Sequence, residues 1–188
     1  WESELIRQHA THASLNNIVI FNTCSVTSEA EKQARQAIRK AKREQPEKQI
    51  IVTGCAAQIN PEKWLEMAEV DHVIGNHEKL LQDSWQRLKT NQLSDMEVTD
   101  ISEITETAAH MIDSFEEHTR GFLQIQQGCN HRCSFCIIPY GRGPSRSIAA
   151  GQVVESVRAL CANGTKEVVL SGIDLTSWGQ DLPGNPKL

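Results

Sequence analysis

The sequence predicts an α/β fold: a parallel sheet with helices on its faces, followed by the start of a second β/α series. Three observations carry this prediction. Short β-rich runs alternate with helix-patterned segments. The first run, Asn17-Ile18-Val19-Ile20-Phe21, is apolar on consecutive residues, as in a strand covered on both faces. Cys24 and Cys55 fall just after the C-terminal ends of two predicted strands, the edge where open α/β sheets collect their ligands.

After the first strand, Ser28 to Glu44 reads as a helix, with Glu29 and Glu31 early and Lys40, Lys42 and Arg43 late, in line with the helix dipole. Gln49-Ile50-Ile51-Val52-Thr53 is the second strand. Pro61 opens a short helix through Met67. His72-Val73-Ile74 is a third strand, and Asn76 is placed to cap a helix running to about Leu88.

From about Thr90 the pattern loosens into acids, Ser and Thr without a period, which reads as a linker with at most one strand or helical turn. Order returns with a strand at Gly121-Phe122-Leu123-Gln124-Ile125-Gln126 and a loop of Gly, Cys and Pro through Pro144. Ser147 is placed to cap a helix from Ile148 to Ala162, ended by Gly164, before a strand at Glu167-Val168-Val169-Leu170-Ser171. The implied division is 1–92 for the first domain, 93–118 for the linker and 119–188 for the second domain.

The chain has 188 residues and a formal charge of −5, which suits one domain or two small ones and gives no global support for nucleic-acid binding. No apolar run approaches the roughly 20 residues of a membrane span, and no secretion signal is visible at Trp1-Glu2-Ser3-Glu4. The expectation is a cytoplasmic chain with reduced thiols and no membrane contact. Trp1 at the start and a Gly/Pro turn before Leu188 read as a fragment.

Three of the six cysteines stand at Cys129, Cys133 and Cys136, a C-x3-C-x2-C pattern on a loop after a strand. Three thiolates leave one corner of a [4Fe-4S] cluster open, which is where the amino and carboxylate groups of S-adenosylmethionine can chelate. A zinc site completed by His131 or Cys161 is the alternative that spacing alone leaves open.

These residues, with Ile137-Ile138-Pro139-Tyr140-Gly141-Arg142-Gly143-Pro144-Ser145-Arg146-Ser147, resemble the radical S-adenosylmethionine (SAM) superfamily and, within it, the methylthiotransferases. Asn22-Thr23-Cys24-Ser25-Val26-Thr27 and Val52-Thr53-Gly54-Cys55-Ala56-Ala57-Gln58 resemble two of the three cysteine motifs of that family's N-terminal domain. The resemblance covers essentially the whole chain. It implies a methylthiotransferase domain followed by the start of a radical SAM partial (β/α) barrel.

It also implies two [4Fe-4S] clusters, one on Cys129, Cys133 and Cys136 for SAM and an auxiliary one on Cys24 and Cys55. The family's third auxiliary cysteine would lie just upstream of Trp1, since Glu2-Ser3-Glu4 looks like the tail of its motif. The family's further barrel and C-terminal RNA-binding domain are not in this sequence, so the chain alone is expected to be inactive. The implied partners are a tRNA anticodon stem-loop, an external electron donor and a sulfur source.

The Thr27 position, Ile138 to Arg146 and Leu170 to Gly179 resemble the branch acting on N6-threonylcarbamoyladenosine at tRNA position 37. The branches acting on isopentenyladenosine-37 and on a ribosomal-protein aspartate are the alternatives. Outside the family, a non-catalytic iron–sulfur or zinc-bound RNA-binding module is the competing class. The implied chemistry is radical removal of hydrogen from C2 of the adenine, followed by methylthio transfer.

Arg142 and Arg146 are candidate contacts to SAM or to the tRNA backbone, because a guanidinium matches carboxylate and phosphate. Asp174, at the end of the last strand, is a candidate for the methionine amine or else a loop cap. Lys32, Arg35, Arg39, Lys40, Lys42 and Arg43 form a helical run without an acid, read as a solvated face with tRNA phosphates as the second reading. Cys161 is expected to be a packed structural cysteine, and Phe135 to shield the cluster.

Overall fold

The computed structural model describes residues 2–105 and 120–188. Four strands form a parallel sheet in the order β1 (Ile18–Thr23), β2 (Gln49–Gly54), β3 (His72–Ile74) and β4 (Met96–Glu97). Strand pleating sends alternate residues to opposite faces, and both faces are apolar. Ile50, Val52 and Val73 point to one layer, packed under α2 (Ser28–Glu44), α3 (Cys55–Ile59) and α4 (Pro61–Leu65) through Ile38, Ala56, Ala57 and Trp64. Ile51 and Ile74 point to the other, covered by α1 (Glu2–His12) and α5 (Gln82–Lys89) through Ile6, Ala10, Trp85 and Leu88. That two-sided burial is why the strands read as continuous apolar runs.

α1 was not foreseen. Its Ile6 and Ala10, with Ala13 just after its end, are spaced four and three apart and all are buried, the signature of one helix face. Burying Leu5 and Ile6 contributes about 1.5–3 kcal/mol each.

Asn76 does not cap a helix. A 3-10 turn at Glu78–Leu80 intervenes, and α5 begins at Gln82. The Asn76 amide is instead committed to the Gly141 carbonyl and the Cys55 sulfur. Within the stretch expected as a linker, β4 joins the sheet and a second 3-10 turn forms at Ile101–Glu103; residues 106–119 lie outside the described part.

In the second series, β5 (Arg120–Gln124) pairs parallel with β8 (Glu167–Ser171), with α7 (Ala150–Ala162) between them in sequence. The expected strand at 121–126 breaks after Gln124. β6 (Gln126–Gln127) turns to pair antiparallel with β7 (Arg146–Ser147). Ser147 therefore sits in a strand rather than at a helix cap, its hydroxyl accepting from the Gly179 amide. A short helix, α6 (Ile138–Arg142), lies between the cysteine loop and β7. No helix among the described residues is long and apolar enough to cross a membrane.

Candidate functional site

Both cysteine sites grow from strand ends. In the register of β1 and β2, Thr23 faces Gly54, so Cys24 and Cys55 leave neighbouring strands at the same level of the sheet. Gly54 makes the turn at φ 98°, and a Cβ there would stand 2.2 Å from the Thr23 carbonyl oxygen. Gly128 plays the same part before Cys129, at φ 69°. Only glycine takes such angles without strain. Each of Cys55 and Cys129 is thus delivered by a glycine turn.

The loop carrying Cys129, Cys133 and Cys136 is held at both ends. The Cys129 amide donates to the Gly143 carbonyl (3.1 Å) and the Cys136 amide to the Cys133 carbonyl (3.0 Å). Gln126, which sequence reasoning missed, fastens the loop from below. Its fully buried amide donates to the Gln127 and Gly128 carbonyls and to Ser145, and its oxygen accepts from the Ile173 and Asp174 amides. One side chain thereby joins the start of the cysteine loop to the end of β8. Asn130 adds a second tie, accepting from the Ser145 amide.

All three loop cysteines are free thiols, Cys129 and Cys136 half-buried and Cys133 exposed. A sulfur-only donor set on one loop fits a thiolate-bound iron–sulfur cluster with one open corner. Cys129, His131 and Asp174 have ligand atoms within 4.8 Å of one another, so the zinc alternative retains His131 as a neighbouring donor. Phe135 is 91% exposed at the loop. Cys161 is exposed on α7, not packed as expected.

Around Cys55 the surroundings are cationic and polar. Asn76 donates to its sulfur at 3.6 Å. The Arg142 guanidinium lies beside it and forms a two-point ion pair with Glu2. Glu2 also accepts from the fully buried Lys79 ammonium (2.8 Å) and from Asn22 (3.3 Å). Burial alone would raise the Glu2 carboxyl, but Lys79 and Arg142 together hold it well below the usual carboxylate range. Burial pushes Lys79 below its ordinary value, against the pull of Glu2. Burial works the same way on Arg142, but the Glu2 carboxylate reverses it and raises that guanidinium.

Two cations thus share one carboxylate next to Cys55. Ser25 Oγ beside Cys24 and Asn76 Oδ1 beside Cys55 are buried without a hydrogen-bond partner among the described residues. Paired thiols, adjacent cations and orphaned polar atoms fit the auxiliary cluster that the motifs imply.

α6 brings the two sites together. It packs on α3, and a Cβ on Gly141 would lie 3.0 Å from Cys55 Cβ. Glu2, Arg142, Phe122 and Gln124 of β5 and Ser171 of β8 line a cavity of about 240 Å³. Arg142 therefore lies beside Cys55 and lines the same cavity as residues of β5 and β8. Arg146 is buried, donating to the Ile104 and Arg142 carbonyls and to Gln127, and its burial and the nearby Arg142 charge lower its pKa. Asp174 accepts from Thr176 and Ser177, which hold its carboxyl below the ordinary value, and lies 3.3 Å from His131 Nε2.

Comparison with known proteins agrees with this layout. Residues 4–75 match a family described as "Uncharacterized protein family UPF0004", and residues 123–180 match the radical SAM superfamily. A threonylcarbamoyladenosine tRNA methylthiotransferase (MtaB) of Rickettsia prowazekii is 54% identical over 99% of this chain and 43% of its own length. The chain belongs to the radical SAM methylthiotransferase family.

Within this family, the MtaB of Aquifex aeolicus is 37% identical over 88% of the chain and 40% of its own length. A ribosomal protein uS12 methylthiotransferase (RimO) of Anaeromyxobacter sp. (strain K) is 35% identical over 91% of the chain and 37% of its own length. The chain spans less than half the length of these methylthiotransferases.

Proposed function

We propose that the protein containing this chain is a cytoplasmic tRNA methylthiotransferase that places a methylthio group on C2 of N6-threonylcarbamoyladenosine at position 37. The observation that carries this reading is the 54% identity to a threonylcarbamoyladenosine tRNA methylthiotransferase over 99% of the chain. In this proposal residues 1–92 form the methylthiotransferase domain and residues 119–188 belong to the radical domain, joined through 93–118.

Cys129, Cys133 and Cys136 would hold the SAM-binding [4Fe-4S] cluster. Cys24 and Cys55, with a further upstream thiol, would hold the auxiliary one. Together with SAM these groups supply one-electron chemistry at an aromatic C–H bond, which offers no handle to an acid or a base. The protein side chains have three tasks. Gln126 and Asn130 set the cysteine loop against the sheet. Arg142 and Asn76 keep α6 against the auxiliary edge. The cavity bounded by Phe122, Gln124, Ser171 and the Glu2–Arg142 pair gives the two sites a common wall. An external electron donor and a sulfur source complete the scheme.

The test is nucleoside mass analysis of tRNA from cells lacking the gene, complemented with the full-length protein or with its Cys129→Ala form. Restoration of the 2-methylthio form of threonylcarbamoyladenosine by the parent alone supports the reading. The similarity to the uS12 methylthiotransferase favours one second reading, a ribosomal-protein aspartate as substrate. A methylthio mass gain on uS12 in the complemented cells, with the tRNA unchanged, would establish that reading instead.

A further inference from the structure

α2 and α4 frame a surface groove of about 540 Å³, lined by Lys32, Arg35 and Arg39 of α2 and Lys63 of α4, with Glu31 as its one carboxylate. The chain as a whole is acidic, at −5, so four cations against one acid is a local concentration of the opposite sign. Lys40, Lys42 and Arg43 belong to the same basic run but do not line the groove. Lys42 is tied to Asp71 and to the Lys48 carbonyl, and Lys40 pairs with Glu44.

The groove cations are held differently. The Arg35 guanidinium stacks 4.5 Å from the ring centroid of the buried Trp64, which fixes its place along the groove. Arg39 has a loose contact with Glu69 at 3.9 Å and remains 54% exposed. Lys32 and Lys63 are exposed and make no hydrogen bond or ion pair among the described residues. A purely structural face would spend its cations on neighbouring acids, as Lys42 does.

Position adds a second argument. The groove begins at Ser28, the first residue of α2, four residues after Cys24 on the sheet edge that carries the auxiliary cysteines. A helix rises about 1.5 Å per residue, so Lys32, Arg35 and Arg39 stand in a line about 10 Å long running away from that edge.

We propose that this groove is a docking track for the RNA phosphate backbone, which it holds while a neighbouring nucleotide reaches the cysteine edge. The proposal rests on the tRNA reading above and adds the surface that would bind it. Backbone docking of this kind is independent of sequence and depends on salt through counterion release.

The experiment uses the full-length protein and its tRNA substrate, with binding followed by fluorescence anisotropy over a range of salt concentrations. The variants are the triple substitution Lys32→Gln, Arg39→Gln and Lys63→Gln, the charge-keeping pair Lys32→Arg and Lys63→Arg, and a control, Lys166→Gln, at an exposed lysine outside the groove. The triple variant is expected to bind at least tenfold more weakly at low salt. Its log–log salt slope should be shallower by roughly 2–3, about 0.9 for each lost phosphate contact. The loss should be equal for substrate and non-substrate tRNAs. The arginine pair and the control should keep the parental slope.

An unchanged slope and affinity in the triple variant, with the parent binding tRNA, would overturn the groove and leave the tRNA reading intact. A slope lost equally in the Lys166 control would overturn it too, because the effect would then be net charge. A parent that binds no tRNA would remove both readings. A parent that binds tRNA but docks it with no dependence on salt would remove the groove alone.

Discussion

Glu2 and Arg142 are 140 residues apart in the chain and form a two-point ion pair, with the Lys79 ammonium as the third member. The pair joins the first turn of α1 to the last residue of α6, beside Cys55. Removing one partner of a buried pair leaves the other charge uncompensated, at a cost of about 3–5 kcal/mol. Glu2→Gln in the full-length protein should therefore lower the unfolding free energy by that order. Amide exchange should accelerate in residues 138–143 and much less in the β1–β2 core. Equal acceleration throughout the sheet would show that Glu2 supports the whole domain rather than the seat of α6.

The same carboxylate sets a pH dependence. Glu2 has a folded-state pKa held below the usual range by Lys79 and Arg142, against a value of about 4.3 in the unfolded chain. A group depressed on folding contributes stability that is complete above the unfolded pKa and is lost as pH falls through the folded one. Urea melts of the iron-free protein should therefore show stability declining below about pH 4.5. The Glu2→Gln protein should be less stable near neutrality and flatter over that acid range. Parallel curves for the two proteins would assign the acid sensitivity to other carboxylates.

Gly141 is a packing position. A methyl there would meet Cys55 Cβ at 3.0 Å and its sulfur at 3.4 Å, tighter than side chains ordinarily approach. Gly141→Ala should cost about 1–3 kcal/mol through overpacking, by displacing either α6 or Cys55. Combined with Ala at Cys129, Cys133 and Cys136, it should also reduce the iron retained at the remaining cysteines. Full retention of that iron would place the strain on the α6 side alone.

Much of the architecture was legible from residue order because it follows from local pattern. The runs at 18–20, 50–52 and 73–74 are apolar on consecutive residues because α1 and α5 cover one face and α2 and α4 the other. The cysteine spacing was equally legible, since three ligands on one loop need no long-range information. The supports of the site were not. Asn76 looks like a helix cap in sequence, and only the fold shows its amide committed to Gly141 and Cys55. Arg142 was singled out for its motif, yet its partner Glu2 lies at the other end of the chain. Lys63 was invisible as a groove cation because it joins Lys32 only through the packing of α4 beside α2. α1 is weakly signalled in sequence: Ile6 and Ala10 carry its period, but its first residues, Glu2-Ser3-Glu4, also resemble the tail of a cysteine motif.

Gln126 is the most concentrated of these hidden supports. Its side chain makes five hydrogen bonds while fully buried, three donated to the loop side and two accepted from backbone amides after β8. Truncation leaves those groups without partners in the interior, at about 1–3 kcal/mol for each one that water cannot reach. Gln126→Ala should therefore be more damaging than its loss of volume suggests, whereas Gln126→Glu keeps the two accepted bonds and loses the donated ones. The expected order of melting temperature is parent, then Glu, then Ala. Iron retention at Cys129, Cys133 and Cys136 should fall in the same order, because the loop start at Gly128 is no longer fixed. A Gln126→Ala protein that melts at the parental temperature but loses its iron would show that the bonds shape the loop without stabilising the fold.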